Sequence, residues 1–234
     1  MNELYVKDKG FVLKRIASKN EDAYIIFYGK ECGKIVTLAK GAQKATSKLA
    51  PLLNCGNYID CEFLITKSGY KLKSCSPLED FQERFLSYEA LLTSVYICDL
   101  VDKGVEIELP QDDIFHLLYF CLLLMNDKNF SELRLFFSWR FLTLIGYGSD
   151  TVEYITELFH QYWHVSKLNI SQQSIVDEIT CFLMCFAYEN KTFLVNKLSQ
   201  NAYTAFWEII KQNYQKQAQI HLKSQKILEE TIGH

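Results

Sequence analysis

Near residue 78 the spacing of apolar residues changes from two to 3.6 and stays there, so a β part must be followed by a helical part. Before that point Ala23, Ile25 and Phe27 alternate with Tyr24, Ile26 and Tyr28, the pattern of one strand. FVLKRI reads as another, with Phe11 and Leu13 on one face and Val12 and Ile16 on the other. Glu31-Cys32-Gly33-Lys34 turns into IVTLAKG. After the polar loop AQKATSK, Ile59, Cys61, Phe63 and Ile65 share a face, and Lys67-Ser68-Gly69 turns into YKLKSCS. About five strands in roughly 70 residues, apolar on both faces, close most economically into a small barrel without exposed edges.

From Pro77 onward the signals are those of helices. LEDFQERFLSYEALLTSVYICDLVDKG reads as one amphipathic helix ending at Gly104, and Pro110-Gln111-Asp112-Asp113 opens the next with acids suited to a helix start. Ser131 is placed to cap ELRLFFSWRFLTLIG, which Gly146 ends. Asp150 and Glu153 have capping-box spacing before TVEYITELFHQYW, Asn169 or Ser171 caps SIVDEITCFLMCFAYE, and a last helix runs from about Asn201 to Glu229. The fold class expected is therefore α+β: a small barrel over 1–78, then an all-α region over 79–234.

Residues 1–80 carry 13 Lys and Arg against nine Asp and Glu, whereas the remaining 154 carry 12 against 19. Any polyanion contact thus belongs to the first part, because phosphate attraction depends on local charge. The start MNELYVKDKGFVLKR has no apolar signal core, and no window is apolar enough for a membrane span, so a cytoplasmic protein with reduced thiols is expected. Several of the eight Cys lie in apolar runs such as YICDL and FLMCF, where a thiol behaves as a small hydrophobe.

No Gly-rich phosphate loop, nucleophile elbow or HExxH occurs, so no catalytic residue is assigned and no enzyme is expected. His160 and His164 have the i, i+4 spacing of metal ligands, as do Cys181 and Cys185. Both pairs sit among aromatic and aliphatic residues at core spacing without a CxxC, so no metal is assigned.

The informative stretch is IVTLAKGAQKATSKL, where Lys40, Lys44 and Lys48 lie along one loop. Lys14 and Arg15 on the first strand, Lys34 at the turn, and Lys67, Lys71 and Lys73 around the last hairpin add to it. Such a surface suits a phosphate backbone, with Tyr24, Tyr28, Tyr58 and Tyr70 available to stack on unpaired bases. The competing reading is a solvated loop beside ordinary core aromatics.

The order of motifs resembles that of the RecO family of bacterial recombination mediators. The resemblance rests on GFVLKR, on Glu21-Asp22, on Gly33-Lys34, on Ala39-Lys40-Gly41-Ala42 and on Ser47-Lys48-Leu49. In the second half it rests on Phe137, Arg140, Leu142, Gly146 and Tyr147 of FFSWRFLTLIGYG, and on HLKSQKIL near the end. Three positions depart from the family. Ser138 replaces a Glu, Tyr147 to Ser174 lacks the four Cys that hold zinc in many relatives, and Gln225 replaces an Arg.

The resemblance implies an N-terminal OB-fold, a helical C-terminal domain without the zinc module, and a non-enzymatic role that needs no cofactor. Members bind single- and double-stranded DNA, anneal complementary strands and, with RecR, help load recombinase onto DNA coated by single-strand-binding protein. A cytoplasmic, nucleoid-associated location follows. The expected DNA-binding residues are Lys14, Arg15, Lys34, Lys40, Lys44, Lys48, Lys71 and Lys73. For the acidic, apolar-ended tail of the coating protein, Arg134, Phe137 and Phe141 recur at i, i+3 and i+7 with Arg140 beside them. Arg140 is equally suited to an internal carboxylate. The alternative class is a helical adaptor whose barrel makes only protein contacts.

Overall fold

A computed structural model describes residues 4–78, 87–125, 129–187 and 197–216. Five strands come first: β1 (Leu4–Ala17), β2 (Ala23–Gly29), β3 (Gly33–Ala39), β4 (Tyr58–Thr66) and β5 (Gly69–Pro77). They close in the order β1-β2-β3-β5-β4, antiparallel throughout except for the parallel β3–β5 pair. Inside lie Val12, Ile25, Phe27, Ile35, Ile59, Cys61 and Phe63, each at most 2% exposed. This is the small barrel expected from the alternation, with the OB-like character that the resemblance implies.

One face assignment changes. The β1–β2 register slips between Val12 and Lys14, so Val12 points inward while Ile16, opposite Tyr24, is turned out to solvent. An extra residue on one strand reverses the faces beyond it, and uninterrupted alternation cannot register it.

Six helices follow among the described residues: α1 (Tyr88–Gly104), α2 (Asp112–Leu124), α3 (Phe130–Leu144), α4 (Val152–Trp163), α5 (Ile170–Ala187) and α6 (Gln200–Lys216). The expected first turns of α1, over 79–86, the end of α6 beyond 216 and the HLKSQKIL motif lie outside the described residues. Ser87 caps α1 by accepting from the Ala90 N–H. Two caps differ from expectation. Ser131 is inside α3, whose N-cap is Asn129, and Thr151 caps α4 because Asp150 is held elsewhere by Trp139 and Arg140. Asn169 serves α5, accepting from the Gln172 N–H at 2.9 Å.

The described residues form two compact units, 4–125 and 129–216. Packing thus draws the division further along the chain than the change of periodicity at 78. The cause is aromatic: Phe11 stacks on Tyr58 at 4.7 Å, and Phe115 and Tyr119 of α2 lie against both rings. Tyr28 closes the contact by donating to the Gln111 carbonyl, and its hydroxyl pKa is pushed up to about 12, mainly by burial. In the second unit α6 packs against α3, α4 and α5, and α3 is heavily buried. Trp139, Phe137, Phe141 and Leu142 are fully buried, and Tyr214 of α6 donates to the Ser138 carbonyl at 2.7 Å.

Candidate nucleic-acid interface

On the outer surface of β1, β2 and β3 the register brings two rows together. Ile16 stands opposite Tyr24, Tyr24 opposite Leu38, and Leu38 opposite Lys71 of β5. In the next row Lys14 stands opposite Ile26, and Ile26 opposite Val36. Ile16, Tyr24 and Val36 are each more than 40% exposed. An open aromatic and aliphatic face on a barrel, rimmed by cations, is a marker of a binding surface rather than of ordinary solvation. Lys40, two residues past Leu38, continues this face into the loop that carries Lys44 and Lys48. All three lysines are exposed, and no ion pair among the described residues involves them.

The loop is held from below. Gly41, with φ of 63°, donates its N–H to Asp22 at 2.6 Å, and the Gln43 N–H reaches the Glu21 carbonyl at 2.8 Å. Gln43 Nε2 also donates to the Asp22 carbonyl. These contacts give the Glu21-Asp22 and Ala39-Lys40-Gly41-Ala42 motifs a shared purpose: they fix a basic loop at one end of the barrel.

Two expected DNA-binding residues are spent on the fold instead. Arg15, opposite Ile25 on the inward alternation, donates Nη2 to the Ala42 carbonyl at 2.6 Å and Nη1 to that of Ala50 at 3.1 Å. Lys34 is only 9% exposed. Its Nζ donates to the Asp102 carbonyl at 2.5 Å and lies 3.9 Å from the Asp102 carboxylate, and burial holds its pKa below the ordinary value. Gly33 beside it has φ of 65°, and a Cβ there would come within 2.7 Å of Leu109 and Pro110 backbone atoms. The Gly33-Lys34 motif therefore anchors the 107–110 segment and α1 to the barrel. Lys14 keeps an exposed side chain although its Nζ is 3.9 Å from Asp102. Lys71 is half-buried and Lys73 exposed.

Among the four tyrosines, Tyr24 alone stands open: Tyr28 is buried, Tyr58 stacks on Phe11, and Tyr70 lies edge-on to Phe63. Sequence reasoning also missed Asp8, a carboxylate 5% exposed that accepts the N–H groups of Lys9, Glu31 and Cys32. Its only sequence signal is an acid between two lysines, which reads as a surface charge.

The Lys34–Asp102 contact predicts that Asp102→Ala costs about 3 kcal/mol, because a buried ammonium loses its counter-charge. Adding Lys34→Met should return much of that in a urea melt. Additive losses in the double variant would contradict the pairing.

In the helical unit the expected docking residues are corrected. Arg134 is 2% exposed and donates Nη2 to Ser131 Oγ at 3.1 Å, so it offers nothing to an external carboxylate. Phe137 and Phe141 are fully buried, their rings stacked at 5.8 Å. Arg140 pairs with Asp150, which also accepts from Trp139 Nε1 at 3.0 Å, and this is the internal role open to it. Arg134 is enclosed although it lies near the start of α3, because Leu133, Leu135, Phe136 and Phe137 around it are buried. A cavity of about 460 Å³ instead lies between α4 and α6, lined by Leu158, Tyr162, His164, Ile209, Asn213 and Lys216 among others. Among the described residues no three His, Cys, Asp or Glu are grouped to hold a metal ion, and no helix is long and apolar enough to cross a membrane. The Cys185 side chain lies outside the described residues.

The architecture defines a class: an OB-like barrel with a helical C-terminal region. The chain belongs to the recombination protein O family, since the family pattern described as "Recombination protein O N terminal" matches residues 1–81 and "Recombination protein O C terminal" matches 86–154. It is 32% identical over 146 residues to "DNA repair protein RecO" of Syntrophus aciditrophicus, covering 61% of this chain and 56% of that one. A protein of the same name from Clostridium perfringens is 28% identical over 145 residues, covering 61% and 59%. One from Caldicellulosiruptor saccharolyticus is 30% identical over 114 residues, covering 49% and 47%. The chain spans about half the length of these curated relatives.

Proposed function

We propose that this chain is a non-enzymatic recombination mediator. Its barrel binds single- and double-stranded DNA, anneals complementary strands and, with RecR, helps load recombinase onto DNA coated by single-strand-binding protein. The observation that carries this reading is the outer barrel face, where Tyr24, Ile16 and Val36 are exposed beside Lys14, Lys71 and the Lys40–Lys48 loop. Aromatic and aliphatic groups stack on bases while cations neutralise phosphates. Annealing follows from screening two like-charged strands on one basic surface. The family membership supports the same reading.

The test is annealing of two complementary labelled oligonucleotides with and without the full chain. Catalytic amounts should leave duplex yield limited by protein, whereas stoichiometric coverage speeds pairing. Unaltered annealing at every ratio would overturn the proposal.

A narrower prediction concerns base stacking. Tyr24→Ala should weaken single-strand binding roughly tenfold, the loss of about one stacked base, and change duplex binding far less. Equal losses on both substrates, measured by anisotropy, would remove Tyr24 from the base-contacting face.

For the acidic, apolar-ended tail of the coating protein, the α4–α6 hollow supplies what α3 does not. Leu158 and Ile209 offer an apolar floor, and Lys216 offers a cation. Lys216→Ala should weaken a fluorescent tail peptide roughly tenfold, one charge-assisted contact. Equal binding by the variant would reject the hollow as the docking site.

A further inference from the structure

Cys61 on β4 and Cys75 on β5 stand directly opposite one another in an antiparallel pair, beside the register shift between Glu62 and Phe63. Cys61 is buried in the barrel core, and Cys75, half-buried, packs against the same core. Both are free thiols. Directly opposed antiparallel residues have Cα atoms about 4.5 or 5.5 Å apart, inside the span of roughly 4.4–6.8 Å that a disulfide bridges. We propose that Cys61 and Cys75 form a reversible redox pair within the barrel, closed by hydroperoxides and reopened by dithiols.

The two sulfurs are unequal in the way such a pair needs. The Cys61 S–H donates to Cys75, which holds the Cys75 thiol below its ordinary value and raises that of Cys61. Cys75, the more exposed, is the attacking group, and Cys61 resolves. The Cys75 thiolate attacks the peroxide O–O bond, becomes a sulfenic acid and releases hydroxide, which takes a proton to leave as water. The Cys61 sulfur then attacks the sulfenic sulfur and loses its proton, and the expelled hydroxide leaves as a second water. Two thiols are oxidised by two electrons and one hydrogen peroxide is reduced to two waters. The bond closes the hairpin that bears Lys67, Lys71 and Lys73.

The other described thiols in this unit lack that arrangement. Cys55 and Cys98 are also hydrogen-bonded to each other, which with burial pushes the Cys98 thiol up, but they are not partners in a strand pair and donate to the Leu13 and Val12 carbonyls; Cys121 is fully buried, and burial pushes its thiol up. Cys32 donates to the Gly33 carbonyl, and burial together with Asp8 raises its thiol.

The test exposes the reduced full chain to a small excess of hydrogen peroxide, alkylates the remaining thiols and maps peptides by mass spectrometry. The expected product has lost about 2 Da, the two thiol hydrogens, carries a Cys61–Cys75 crosslink and regains both thiols in dithiothreitol. Its thermal midpoint rises by about 5 °C, since the bond links residues already paired in the native sheet and constrains the unfolded chain. Cys75→Ser yields no crosslink at Cys61. A crosslink through Cys32, Cys55 or Cys98 instead would overturn the proposal. So would sulfinic acid at Cys75 with Cys61 still open to alkylation, or a crosslink that leaves the melt unmoved or lowers it.

Discussion

Replacing Lys40, Lys44 and Lys48 together by alanine lowers DNA affinity roughly a hundredfold at 0.1 M salt and reduces the slope of log affinity against log salt by about two. These three side chains are open and lie on a loop fixed by Asp22 and Glu21, so under the proposed function each would neutralise a phosphate without ordering a flexible segment. The loss should be alike for all sequences, because phosphate contacts carry no base information. Lys34→Ala, by contrast, should leave the slope unchanged and lower stability, since its ammonium faces Asp102 rather than solvent. If the triple variant folds normally and keeps the wild-type slope, the loop is not the phosphate contact.

The second large effect is on stability. Asp8→Ala should cost about 3 kcal/mol, because a buried carboxylate accepting the N–H groups of Lys9, Glu31 and Cys32 leaves those donors without an acceptor. That corresponds to a fall of roughly 10 °C in the melt. Asp8 also occupies the space beside Gly29, where a Cβ would lie 2.0 Å from its Oδ2, so the β2–β3 turn is built around this side chain. Asp8→Asn keeps one acceptor oxygen and should lose less. Equal melts for wild type and Asp8→Ala would show that water replaces the carboxylate at no cost.

The strands, the closed barrel and most helix starts were legible because each depends on local spacing. Ala23, Ile25 and Phe27 alternate with their outward neighbours, and that alternation survives in the fold. The roles of Arg15, Lys34 and Asp8 were not legible, because their partners are 35, 68 and 24 residues away and only closure of the chain brings them together. A lysine in a basic segment reads as solvent-facing until an acid on a distant helix claims it. The same blindness misplaced Arg134. Arg134, Phe137 and Phe141 do recur on one face of α3, yet that face is packed inside the unit, so the guanidinium is enclosed. Ile16 fails for a different reason, since one bulged residue in β1 reverses the face of everything beyond it.

The central claim, that the outer barrel face binds nucleic acid, is tested most directly by titrating the full chain against a fluorescent single-stranded oligonucleotide at several salt concentrations. The account predicts measurable binding at low salt that weakens steeply as salt rises, in proportion to the phosphates neutralised. Absence of binding at the lowest salt, or affinity independent of salt, would contradict it and leave a helical adaptor whose barrel contacts only protein.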